Sequence, residues 1–205
     1  MDHLHFVFAI FFMLIGPIKI LPVFLKLTKD HDHEFRSKTA LLATAFAAVI
    51  CGFLILTSQN TLARYHIHRE SLMLAGGLVL LISALRTIFP AGYDEERKPR
   101  VDTPLGLAIS PLATPVIVTP AGIAAIMLFV SMEAREPGMF AAIRIALGLV
   151  LVLDFLIMYF AGAIARLPWI MPLIWLFGSV MLVVQVAGAM DLIVKALKSL
   201  GLFHD

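Results

Sequence analysis

Apolar residues fall into six long runs along the chain, at about 4–27, 39–57, 72–89, 105–132, 140–163 and 172–194. Each is close to the roughly 20 residues a helix needs to cross about 30 Å of hydrocarbon. Polar segments separate them, at 29–38 (KDHDHEFRSK), 58–70 (SQNTLARYHIHRE), 90–103 (PAGYDEERKPRVDT), 133–138 (EAREPG) and 165–170 (ARLPWI). The pattern predicts an all-α polytopic membrane protein with six transmembrane helices in a single membrane domain, 1–205. The segment at 90–103 is the longest and most charged, and it divides the chain into two three-helix halves, about 1–92 and 103–200.

The halves share features. GPIKILPVFL (16–25) aligns with TPAGIAAIML (119–128), matching Pro17 to Pro120, Ile20 to Ile123 and Leu25 to Leu128. The opening helix of each half carries prolines, Pro17 and Pro22 in one, Pro111, Pro115 and Pro120 in the other. The third helices align LAGGLVLL (74–81) with LFGSVMLV (176–183), placing Gly76 opposite Gly178. A half with three crossings makes its successor enter from the opposite side, so the expectation is an inverted repeat, an architecture typical of secondary transporters.

Composition agrees with the membrane reading and narrows the chemistry. Sixty per cent of residues are hydrophobic and the mean hydropathy is +0.96, more apolar surface than a soluble domain of 205 residues can hide. A net charge of +2, spread over short loops, argues against nucleic acid. A single cysteine, Cys51, in an apolar run excludes a disulfide framework and a cysteine metal site. The start, MDH, lacks the positive region of a signal peptide, which makes the first run a retained helix. Setting aside Lys19 and Arg86 inside spans, the positive-inside rule leans towards both termini outside.

Proline has no N–H, and its ring clashes with the carbonyl four residues back. Pro17 and Pro22 thus free the carbonyls of Met13 and Ile18, and Pro111, Pro115 and Pro120 those of Leu107, Pro111 and Val116. Irregular backbone at membrane depth survives only inside protein or beside a wet cavity. Two such breaks in repeat-related positions are expected to meet near the midplane. There, half-helix N-termini suit a carboxylate, and loosened carbonyls suit a cation. The bland alternative is a pair of packing kinks repaired by neighbouring helices.

Asp154 lies close to the centre of the fifth run, where an ionisable group costs about 2.5–3.5 kcal/mol on insertion scales. It should therefore face the bundle interior and have a partner. Lys19, five residues from the centre of the first run, is the expected one; snorkelling of its ammonium is the alternative. Ser83 and Gln185 fall opposite each other in the repeat and read as interhelical glue. Thr119, beside the second break, reads as a substrate contact. Ala75-Gly76-Gly77 reads as close packing, and Arg86 as a snorkelling residue near a helix end. The HxH pairs His3/His5, His31/His33 and His66/His68 lie outside the apolar cores, and residues two apart on a helix point to different faces, so they read as loop histidines rather than metal ligands. No nucleophile elbow, HExxH, CxxC or phosphate-binding loop is present. The expectation is a protein without enzymatic activity, cofactor or resident metal.

The motifs GPIKILPVFLKLT (16–28), LAGGLVLLISAL (74–85) and SPLATPVIVTPAGI (110–123) make the chain resemble the MarC family of six-helix bacterial and archaeal membrane proteins, which includes transporters of small neutral amino acids. The resemblance covers most of the chain. It implies residence in the inner membrane and a substrate site lined by Gly16, Pro17, Ile18, Lys19, Thr119, Pro120, Ala121 and Gly122. The family usually has asparagine at the position of Gly16 and glycine at that of Lys19. It usually reads Gly-Pro-Gly-Ala where this chain has Thr119-Pro120-Ala121-Gly122. A lysine in a site otherwise kept small separates this chain from the usual substrate. The leading expectation is alternating-access transport of a small metabolite, a neutral amino acid, with proton or sodium coupling through Asp154 and with Lys19 as its charge partner or as the anchor of a substrate carboxylate. Its partners would be that solute, the lipid bilayer and further copies of the chain. The alternatives are an inorganic ion or metal exporter and a non-transporting membrane scaffold.

Overall fold

The computed structural model describes residues 2–89, 103–133, 138–167 and 169–201. They form helices α1 (Asp2–Leu14), α2 (Pro17–Leu27), α3 (His33–Arg64), α4 (Arg69–Ile88), α5 (Pro104–Leu107), α6 (Pro120–Met132), α7 (Met139–Tyr159), α8 (Ala161–Ile164) and α9 (Ile170–Ser199). Among the described residues there is no strand. Most of the segment at 90–103 expected to divide the chain lies outside them.

Among the described residues, five helical units are long and apolar enough to cross a membrane: His3–Leu27, His33–Ser58, Arg69–Ile88, Met139–Tyr159 and Pro172–Ser199. The fourth run forms a bent unit instead. Pro104–Ile117 and Pro120–Met132 meet at 59°, so the unit is either a broken span or a re-entrant loop. Its first limb contains the irregular segment Ala108–Ile117, in which Ser110 and Thr114 leave helical geometry, each before a cis proline. The boundary of α3 also departs from the apolar run at 39–57. The helix begins six residues earlier, where Asp32 accepts from the Phe35 amide at 3.0 Å and Glu34 pairs with Lys38 at 2.6 Å.

Lipid is as apolar as leucine, so these helices associate by close packing rather than by escape from solvent. Hence the buried stripe of α3 is small: Ala40, Ala43, Ala47 and Cys51, spaced three to four apart. It packs on α7, whose Ile143, Ala146, Val150 and Met158 are fully buried. On its other face α3 exposes Leu41, Val49, Phe53 and Leu56. α1 and α2 occupy the centre, with Phe11, Leu14, Ile20 and Phe24 fully buried.

α9 is the most peripheral span and packs chiefly on α4. Gly77 sets that contact, because a Cβ there would stand 2.6 Å from Ile193 Cγ1 and 2.9 Å from the Ala189 carbonyl oxygen. Gly77→Val therefore separates α9 from α4. Its expected cost is about 1–3 kcal/mol, the usual penalty of overpacking, read as a lowered thermal midpoint in detergent. Gly188→Val on α9, where nothing lies within 4 Å of the added Cβ, is the control.

Candidate functional site

Each opening unit breaks just before a proline-started helix. Gly16 precedes Pro17 at the start of α2, and Thr119 precedes Pro120 at the start of α6. Proline suits the first helical position because its missing donor would be unpaired there in any case. The two breaks touch. A Cβ on Gly122 would stand 2.9 Å from Ile15 Cγ1. Thr119 accepts from the Gly122 amide at 2.9 Å, capping α6, and its hydroxyl reaches the Leu14 carbonyl at 3.5 Å, a long contact. Thr119, expected to touch substrate, thus ties one break to the other.

The remaining expected site residues are divided by burial. Gly16, Pro17, Ala121 and Gly122 are buried, Ile18 and Lys19 partly so, and Pro120 is exposed. Ile18 lies beside α9, where a Cβ added to Gly178 would stand 3.8 Å from Ile18 Cγ2. Gly16 admits no side chain, since a Cβ would come within 2.0 Å of the Phe12 carbonyl oxygen.

The expected Lys19–Asp154 ion pair is not formed. Lys19 Nζ donates to Gln185 Oε1 at 3.2 Å, and Gln185 Nε2 donates to the Leu80 carbonyl at 3.0 Å. α2, α9 and α4 are thus joined through one amide. The physical reason is that glutamine offers both an acceptor and a donor, so it serves the ammonium and a helix carbonyl at once. Asp154 is fully buried on α7, and neither carboxylate oxygen has a hydrogen-bond partner among the described residues.

A cavity of about 250 Å³ opens among α1, α4, α6 and α9. Sequence reasoning missed it, although each helix contributes a regular stripe: Arg69, Met73, Gly76 and Leu80 on α4; Gln185, Gly188, Leu192 and Lys195 on α9; Ile10, Met13 and Leu14 on α1. These three- and four-residue spacings were the available signal. The cavity reaches from Arg69 and Lys195, at the ends of α4 and α9, inward to Leu14 at the first break and to the Lys19-bound Gln185. Among the described residues no group of three or more His, Cys, Asp or Glu can hold a metal. The His31 ring stacks on Phe35 at 3.8 Å and His33 meets Tyr159 edge-on at 5.5 Å.

Five apolar helical units and one bent pair, each long enough to cross a membrane, define a polytopic membrane protein in which two broken helices touch beside a cavity. Residues 1–200 match the model of the MarC family integral membrane protein, and the chain belongs to that family. Relatives occur in archaea and bacteria. A UPF0056 membrane protein of Archaeoglobus fulgidus is 32% identical over 129 residues, 60% of this chain and 61% of the relative. The UPF0056 membrane protein YhcE of Escherichia coli is 27% identical over 58% of this chain and 57% of its own length. YvbG of Bacillus subtilis is 25% identical over 78% of this chain and 77% of its own. The matches thus span about three-fifths of the first two relatives. No solved structure matches. The protein is a multi-pass integral membrane protein.

Proposed function

We propose that the protein is a secondary transporter of a small carboxylate-bearing metabolite, with neutral amino acids the first class to test, working by alternating access. The observation that carries the reading is the cavity leading from the ends of α4 and α9 to the first helix break. Secondary transporters bind substrate at broken helices near the midplane. In this reading the bent unit is one span, the spans number six, and the halves form an inverted repeat whose breaks meet at Thr119 and Leu14. The Lys19–Gln185 hydrogen bond closes the inner end of the cavity and parts when substrate arrives. Lys19 then receives the carboxylate as the substrate moves inward from the outer end of the cavity, and Asp154 carries a proton or sodium ion. An unpaired carboxylate buried in a span is costly to keep, and ion coupling is a reason to keep it.

Uptake into proteoliposomes tests this, across a panel of labelled amino acids with and without proton and sodium gradients. Saturable uptake raised by one of the gradients is expected. Flux of inorganic cations in place of any amino acid favours an exporter, and no flux with no thermal stabilisation by any panel member favours a scaffold.

A further inference from the structure

The cavity among α1, α4, α6 and α9 has two chemically distinct ends and an apolar body. At its outer end Lys195 is paired with Asp191 at 2.7 Å. Arg69 has no acidic partner among the described residues, and its Nε is buried without a hydrogen bond. The body is lined by Met13, Met73, Leu128 and Phe129. From Arg69 to Leu80, at the inner end, is eleven residues of helix, about 16 Å at 1.5 Å per residue.

We infer that this cavity is a binding site for a small monocarboxylate with an apolar tail, its carboxylate on Arg69 and its tail between Met73, Leu128 and Phe129. Charge balance selects the sign of the head. Asp191 is already satisfied by Lys195, leaving the Arg69 guanidinium as the unanswered charge, and guanidinium binds carboxylate through two parallel hydrogen bonds. Volume selects the size. At 250 Å³ the space lies just below the roughly 300–1,000 Å³ of sites for drug-sized ligands, which suits a single short chain and not a two-chain lipid. The lining selects the tail, because polar substituents along the body would find no partner there. No free acid awaits an ammonium group, so the site reads the carboxylate and the side chain of an amino acid and ignores its amino group. Leucine and its des-amino analogue 4-methylpentanoate both fit; alanine fills too little of the body. This narrows the substrate of the proposed transport and rests on that reading for its purpose, though not for its test.

The test is equilibrium binding of labelled leucine to the whole protein in nanodiscs of zwitterionic lipid, with empty nanodiscs as baseline. Saturable binding is expected, displaced by 4-methylpentanoate and not by 3-methylbutylamine, which keeps the tail and loses the carboxylate. Alanine should compete at least tenfold less well. Arg69→Gln should weaken binding at least tenfold, and Leu128→Trp, which fills the body, should abolish it. Absence of saturable binding, equal displacement by the amine, or unchanged affinity in either variant overturns the assignment. If Arg69→Gln fails to fold, the displacement series on the unaltered protein still decides. Leucine binding without flux in proteoliposomes overturns the transport reading and leaves the site standing; flux of alanine without leucine binding does the reverse.

Discussion

Asp154→Leu is expected to raise the thermal midpoint of the protein and to abolish ion-coupled flux. The carboxyl group is fully buried, and neither oxygen has a partner among the described residues. A group in that state contributes no hydrogen bonds to lose. Its insertion at the centre of a span costs about 2.5–3.5 kcal/mol, and leucine, which keeps the branch at Cγ but carries methyl groups in place of the oxygens, removes most of that cost. Asp154→Asn should also abolish coupling, since an amide neither takes up and releases a proton nor offers a negative charge to sodium, with a smaller gain in stability because it leaves a buried polar group unpaired. The pairing expected from sequence predicts the opposite sign: breaking a buried ion pair is strongly destabilising, by about 3–5 kcal/mol. Thermal unfolding in detergent, set beside gradient-driven uptake, separates the cases. A lowered midpoint with normal coupling would show a structural carboxylate.

Gly16→Ala is expected to cost more than the same change at Gly77 or Gly122, the next most crowded of the glycines whose surroundings are described. The added Cβ would stand 2.0 Å from the Phe12 carbonyl oxygen, which is backbone and cannot rotate away. The break must then shift, and with it the contact of Ile15 on Gly122 and the reach of Thr119 to Leu14. Overpacking costs about 1–3 kcal/mol where side chains can adjust, so a clash with backbone belongs at or above the top of that range. Gly52→Ala and Gly148→Ala are internal controls. Nothing lies within 4 Å of either Cβ, both sit inside helices, and alanine there should stabilise by up to about 1 kcal/mol. Equal midpoints for all three variants would contradict a tight first break.

The helices, the proline breaks and the family were legible in the sequence, because hydropathy and proline chemistry are local. Gly16 and Thr119 were recognised as matching positions for the same reason, each standing before a proline that starts a helix. The partner of Lys19 was not legible. Opposite charge suggested Asp154, and its helix α7 does pack on α2, but Lys19 reaches the amide that α9 supplies at Gln185. Gln185 was read correctly as interhelical glue, but its place at the inner end of a cavity depends on four helices at once. The same holds for Arg69, which in sequence is one more basic residue of a polar loop. The strong bend of the second opening unit was also hidden: prolines mark where a helix yields, and packing decides by how much.

Counterflow is the most direct measurement of the central claim. Proteoliposomes are preloaded with an unlabelled neutral amino acid such as leucine and diluted into a trace of the same amino acid labelled. An alternating-access carrier predicts a transient accumulation of label above its equilibrium level, lost in a variant carrying Leu128→Trp in the cavity. No overshoot with any amino acid of the panel, or an overshoot untouched by filling the cavity, would contradict transport through this site.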